Sequence, residues 1–433
     1  MSVAAAIDAG LMPPARASTR AWLVFGVSFA LLLSDYMSRQ VLAAVFPLLK
    51  AEWALTDTQL GGLGGVVALM VGVLTVPLSL VADRIGRVRS VAAMAVTWSL
   101  ATLACGLCAN YGQLMAARLA LGVGEAAYGS VGLAVVFTVF PVTLRASISA
   151  AFMAGGVFGS FFGMALGGLL SSQFGWRGSF GVMAAIGLAL AAAYVVVARE
   201  RRPADATGVL KDGRSVPALT SRAVVTGLFG SPQLVLTYVA SGLQLFVMGA
   251  LTAWTPSYLN RAYGLTPQGA AVAAAGLLLA CGVGMVVCGG LADRLAARRP
   301  GLVAPVAAGY GLATFVFLEA AFALPHGPLQ IACAVLGLFC AAGTTGPAGA
   351  IVGDRAPPAL HGAAFAVLTL ANNLIGLAPG PVVTGLLADR LGLPAALRLV
   401  PLAALAAAAV FGLVGRLRHS KPNQRPMAIR GKT

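Results

Sequence analysis

Five ionisable side chains, Asp35, Arg39, Arg118, Glu125 and Glu319, stand inside stretches that are otherwise apolar for about 20 residues. A charge in the middle of a bilayer costs at least about 2.5–3.5 kcal/mol, so each of these groups needs a partner, water or neutralisation. Asp35 and Arg39 are four residues apart and share one helix face. Arg118 and Glu125 are seven apart. Two turns at 1.5 Å per residue separate them by about 10.5 Å along the axis, too far for a close pair in a straight helix. Both are thereby left to a substrate or to the first apolar stretch. Acids that can take up a proton beside cations that can hold an anion suit proton-coupled binding. Bond-making chemistry is not suggested. His326, His361 and His419 fall in loops or the tail, and no Gly-rich loop ending in Lys-Ser/Thr is present. No enzymatic activity, cofactor or metal is expected.

The elements that must position these groups follow from composition. Of 433 residues, 59% are hydrophobic and 10% charged, with a mean hydropathy of +0.89. An average soluble domain carries about a quarter charged residues, so a water-soluble globule is excluded. Apolar runs near 21–49, 60–81, 90–109, 112–139, 146–171, 179–198, 233–258, 268–291, 303–324, 328–352, 362–387 and 394–415 give twelve spans. Of 29 basic residues, 22 fall in the two tails and the loops on their side, and five, Lys50, Arg177, Arg261, Arg390 and Arg398, in the opposite loops. The positive-inside rule then makes both tails cytoplasmic, in the inner (plasma) membrane. The net charge of +16 forms no single face, so no nucleic acid is expected as a partner. Cys105, Cys108, Cys281, Cys288, Cys333 and Cys340 all lie in apolar runs and read as packing residues.

The one long polar interval, 199–231, divides the chain into an N-terminal six-helix bundle (1–198) and a C-terminal one with a basic tail (232–433). Leu55-Thr56 recurs as Leu265-Thr266, and Asp83-Arg84 as Asp293-Arg294, each at an offset of 210. An even number of spans per half makes the halves parallel repeats. The fold class is therefore all-α: twelve transmembrane helices in two six-helix bundles. Such duplication places a binding site where repeats meet.

Ser79-Leu-Val-Ala-Asp83-Arg84-Ile-Gly86-Arg87-Val-Arg89 after span two, and Gly289-Gly-Leu-Ala-Asp293-Arg294 after span eight, resemble the cytoplasmic loop signature of the major facilitator superfamily. Ser79 stands where the family usually has Gly. Arg118-Leu-Ala-Leu-Gly122-Val-Gly124-Glu125-Ala-Ala-Tyr128, Trp254-Thr-Pro256-Ser-Tyr-Leu-Asn-Arg261 and Phe174-Gly175-Trp176-Arg177 are similar to its spinster-like branch. That family usually has Asn-x-x-Asp-Arg in span one. Here Asp35-Tyr-Met-Ser38-Arg39 puts Ser at the position of the acid and an acid nearly one turn earlier.

The resemblance implies a secondary active transporter working by alternating access on a small amphipathic or anionic molecule, lysolipid-like or an organic acid. A drug or metabolite efflux pump of the same fold and a non-transporting sensor are the alternatives. Partners are the small-molecule substrate, protons and the lipid bilayer, and the chain is expected to act as a monomer. Asp35 and Glu125 are candidates for proton coupling. Arg39 and Arg118, with Tyr36, Trp254, Asn372 and Asn373, are candidates for substrate contact. Asp83, Arg84, Gly86, Arg87, Asp293 and Arg294 are candidate gating residues that latch the halves. Gln244 and Glu319 read as interhelical packing groups. In span five, Gly155, Gly159, Gly163 and Gly167 recur every four residues, a smooth face expected to slide against the other half. Pro379-Gly-Pro381 should bend span eleven.

Overall fold

A computed structural model describes residues 18–141, 144–198 and 221–417, and among them every regular element is a helix. The tails expected to be cytoplasmic, and 199–220 of the central connector, lie outside the described residues. Eleven helical stretches are long and apolar enough to cross a membrane. One of them, Ser147–Val197, runs through Gly175, whose φ of 69° and ψ of 169° leave the helical region. A left-handed φ costs a residue with a Cβ about 1–2 kcal/mol, which is why glycine occupies the bend. That stretch is two spans joined at a kink, so the described helices make twelve crossings, six before the connector and six after.

The recurrence of Leu-Thr at both half-starts has a local cause. Thr56 caps span two (Asp57–Ile85): its hydroxyl accepts from the Gln59 N–H at 3.1 Å, and the Gln59 amide oxygen accepts from the Thr56 N–H at 3.0 Å. Thr266 accepts from the Gly269 N–H at 3.1 Å at the start of span eight (Pro267–Arg298). Each threonine satisfies N–H groups that a helix start leaves unpaired.

The contacts of the chain group it into two compact units. The first comprises 1–216, 249–282 and 377–397, the second 217–248, 283–376 and 398–433. In the first, Trp98, Tyr128 and Phe152 lie fully buried in a core with Leu31, Val67 and Leu121. The first unit thus joins all six N-terminal spans to parts of spans seven, eight and eleven. In the second, Gln244 donates to the Thr314 hydroxyl at 3.1 Å and the Ala341 carbonyl at 3.2 Å, tying three spans together.

The glycine face of span five packs mainly on span one (Thr19–Trp53), not on the other half as expected. A Cβ at Gly159 would overlap Leu33 and Tyr36, one at Gly163 the backbone of Met37, and one at Gly167 would press on Val41. Only Gly168, one residue off the stripe, meets Ala271 of span eight. Close approach here holds the helix carrying Asp35 and Arg39 in register. Replacing Gly163 by Val is expected to destabilise by about 1–3 kcal/mol, the usual cost of overpacking. Thermal unfolding in detergent checks this; an unchanged midpoint would show that spans one and five are not tightly seated.

Candidate functional site

Arg39, Glu125, Asp35 and Tyr36 meet inside the first unit. The Arg39 guanidinium donates to one Glu125 oxygen from Nε at 3.0 Å and from Nη2 at 2.7 Å. The carboxylate side chain is completely buried, whereas Arg39 keeps 20% of its side chain accessible. Its guanidinium also sits 5.2 Å from the Tyr36 ring centroid. Asp35 is buried, within electrostatic range of both Arg39 and Glu125. Asp35 Oδ1 and Glu125 Oε1 are buried without a donor. Two carboxyl groups thus lie about Arg39, with Arg118 also in electrostatic range of Glu125, and each leaves an oxygen to be satisfied by a proton, water or a ligand.

Span four is not one continuous helix. Tyr111–Glu125 ends at the acid itself, and Tyr128–Val139 begins three residues on, after a turn at Ala126 and Ala127. The freed Ala126 carbonyl finds a side-chain donor in Thr75 at 2.7 Å, while the Ala127 carbonyl accepts from the Val131 N–H at 3.0 Å and from the Ser130 hydroxyl at 3.0 Å. Tyr128 in turn donates to the Ser28 carbonyl of span one at 2.6 Å. Irregular backbone at membrane depth survives only where such partners exist or a cavity is lined. The sequence offered one signal for this break, the polar Thr75, Ser79 and Ser130 in apolar runs. Ser79, at the usual glycine position, lies 3.2 Å from Ser130.

The other candidates fall elsewhere. Arg118 is 1% exposed; its Nε donates to the Leu63 carbonyl at 3.2 Å and its Nη1 has no hydrogen-bond acceptor. It fixes span four to span two, and nothing in this state opens it to a ligand. Trp254 is fully buried, its ring tilted at 53° to that of Phe46 with centroids 5.4 Å apart, and it donates to the Pro381 carbonyl at 2.9 Å, a packing role. Asn372 and Asn373 lie in the second unit and open a π-helical turn, Asn372–Leu377. Asn372 accepts from Ser241 at 2.7 Å, and Asn373 donates to Thr369 at 2.9 Å with its Oδ1 unpartnered. That wider turn, which leaves the i→i−4 ladder, stands just before Pro379-Gly-Pro381, where the sequence predicts a bend; Pro379 begins the helix Pro379–Leu391. Glu319 is half-buried with Oε2 lacking a donor.

Around the loop signature, Arg87 donates to Asp83 at 2.8 Å across the turn between spans two and three, and both are exposed. Gly86, at φ 112° and ψ 130°, ends span two and permits the sharp turn into span three (Arg87–Leu107). In the second copy, Ala296 stands at the offset position of Gly86, and helix continues to Arg298. Asp293 and Arg294 therefore sit inside a longer helix, and the two copies are not equivalent locally.

Sequence reasoning missed a charged clasp at the opposite end of the spans, within the first unit. Asp57 accepts from both Arg261 terminal nitrogens at 2.7 Å and from Lys50 at 2.5 Å. Asp389, from the end of span eleven, accepts from the Asp57 N–H at 2.7 Å, the Thr58 N–H at 2.9 Å and the Thr58 hydroxyl at 2.6 Å. A carboxylate on the first N–H groups of a helix meets the positive end of its dipole. Beneath it, Gly61, Gly65 and Gly385 leave no room for a Cβ, because spans two and eleven touch backbone to backbone. Local patterning marks Arg390, beside Asp389, and Arg398 only as loop charges. Replacing Asp389 by Asn should loosen this end. A hydrogen bond to a charged group is worth about 1.5–3 kcal/mol, so maleimide labelling of Phe46→Cys should quicken at least about tenfold over Phe46→Cys alone. An unchanged rate would show that the clasp does not hold this end shut.

Comparison with known proteins agrees with this arrangement. Residues 28–381 match the model of the Major Facilitator Superfamily. An MFS-type efflux pump of Mycolicibacterium smegmatis is 25% identical over 86% of this chain and 85% of its own length. A probable L-galactonate transporter of Escherichia coli is 25% identical over 60% of this chain and 59% of its own. In three dimensions, a bacterial homolog of the human lysosomal transporter Spinster, solved inward-facing and unoccupied, aligns with a TM-score of 0.79 at 19% identity, covering 93% of this chain and 98% of that one. A family match across most of the chain, together with eleven helical stretches long and apolar enough to cross a membrane, makes this protein a multi-pass membrane transporter of the Major Facilitator Superfamily.

Proposed function

We propose that the protein is a proton-coupled secondary transporter of a small anionic, and in part apolar, molecule, working by alternating access. The observation that carries this reading is the sharing of Arg39 by two buried acids. Arg118 also lies in electrostatic range of Glu125, so charge alone can balance with both acids ionised; it is the buried, donorless oxygens of Asp35 and Glu125 that favour taking up a proton. An anion arriving at the accessible side of Arg39 competes with Glu125 for the guanidinium. Glu125, released, takes up a proton. Binding of the anion and of the proton thereby favour each other, the linkage that symport requires. Asp35 holds the second carboxyl that keeps Arg39 charged and in place, standing in for the acid replaced by Ser38.

The anion is a carboxylate or a phosphate monoester, since a guanidinium binds either through paired N–H groups. Carboxylate cargo fits the galactonate transporter among the relatives, and a lysolipid fits the spinster-like fold. Efflux in place of uptake is the second reading, favoured by the similarity to an efflux pump along most of both chains. The halves 1–198 and 232–433 rock about the connector, the Asp83 and Asp293 loops gating the cytoplasmic end and the Asp57 clasp the other. The protein resides in the inner membrane as a monomer with both tails cytoplasmic.

Glu125→Gln is expected to abolish accumulation driven by a pH gradient in proteoliposomes while leaving counterflow exchange intact. Retention of gradient-driven accumulation would remove Glu125 from coupling. Arg39→Ala should weaken anion binding by at least about tenfold, a loss of about 1.5–3 kcal/mol for a charged hydrogen bond. An unchanged dissociation constant in a titration of the purified protein would defeat that assignment.

A further inference from the structure

The helix Ser221–Phe229 is not used by the transport reading. It is nine residues long, about 13.5 Å at 1.5 Å per residue, and ends just before Ser231-Pro232, where span seven starts. A helix joined this closely to the start of a span lies at the bilayer surface. One of its faces is seated within the second unit. Leu228 packs with Leu234, Tyr238, Val352 and Leu360, and Gly227 sits so close to Leu360 that a Cβ would overlap it. Those neighbours come from the start of span seven, the end of span ten and the start of span eleven, all on one side of the membrane.

The other face carries Arg222, Val225, Thr226 and Phe229, at helical spacing, and all four are exposed. Val225 is 58% and Phe229 50% exposed, one edge of the Phe229 ring meeting the Tyr238 ring at 6.4 Å between centroids and the rest left uncovered. A short helix with two apolar faces, one docked on protein and one bare, is unusual unless the second meets lipid. The charge nearby selects the kind of lipid. Arg222 tops the bare stripe one turn before Val225, and Arg199, Arg201, Arg202, Lys211 and Arg214 precede it in the chain against Glu200, Asp205 and Asp212. Basic groups beside a surface helix are drawn to anionic headgroups.

We infer that Ser221–Phe229 is an interfacial anchor: Val225 and Phe229 enter the acyl boundary of the leaflet facing the connector, and Arg222 binds an anionic lipid headgroup above them. The connector is then tethered to the membrane at its exit, and the lipid composition of that leaflet bears on how freely the second unit moves.

The test uses the full chain carrying Phe229→Trp, reconstituted in phosphatidylcholine vesicles with or without phosphatidylglycerol at about three parts in ten. The emission added over the wild type is followed with acyl-brominated lipid. Bromination is expected to remove about half or more of it, with stronger quenching when phosphatidylglycerol is present. Adding Arg222→Glu should erase the phosphatidylglycerol effect without unfolding the protein, since Arg222 lies outside the packed face. Val225→Trp provides a second reporter on the same stripe should Phe229→Trp disturb the contact with Tyr238. An added emission typical of indole in water would overturn the proposal. So would a blue-shifted emission that bromine does not quench, which would mean that protein covers the face. Quenching indifferent to phosphatidylglycerol and to Arg222 would overturn the headgroup assignment.

Discussion

The arrangement depends on one interaction: the ion pair of Arg39 with the buried Glu125, beside which Asp35 is buried as well. Taking ions out of water costs several kcal/mol each, and only good geometry with further hydrogen bonds offsets that cost. Arg39 meets the condition with two bonds to one Glu125 oxygen and a ring stacked below, yet the free oxygens of Asp35 and Glu125 remain unsatisfied. The set is therefore stable but incomplete. Such a state answers to a proton or an anion, while a fully satisfied network only holds helices in place.

The surrounding structure serves that set. The glycine face of span five lets span one approach until Asp35 and Arg39 are fixed against the break in span four. The break ends a helix at Glu125, and Thr75 takes up the loose carbonyl of Ala126. Far along the same spans, the Asp57 clasp joins the ends of spans two, seven and eleven within one compact unit. Charge is thus used twice, once deep in the spans at the site proposed for binding and once at their ends for holding.

Much of this was legible in the residues. Hydropathy alone counts twelve spans, and a bend at Gly175 reconciles that count with eleven helical stretches. Asp35, Arg39 and Glu125 announced themselves because charge in an apolar run has to be used. Spacing leaves the partners of Glu125 and Arg118 open between a substrate and span one; the structure gives Glu125 the Arg39 of span one and Arg118 a carbonyl of span two. Arg118 and Trp254 misled for the opposite reason: polar groups in apolar runs also serve packing, and only burial tells the two apart. The Asp57 clasp was invisible. Its partners stand 204 and 332 residues away, and no local pattern marks a pairing at that separation. The break in span four was missed because its two pieces together have the length and hydropathy of a single span.

The central claim is that Asp35, Arg39 and Glu125 hold one exchangeable proton between them. Infrared difference spectroscopy of the purified protein, recorded on adding the transported anion, reads protonated carboxyl groups directly. The account requires a carboxylic-acid band that changes when the anion binds and disappears in the Asp35→Asn, Glu125→Gln double variant. Two carboxylates that remain ionised with and without the anion would contradict it.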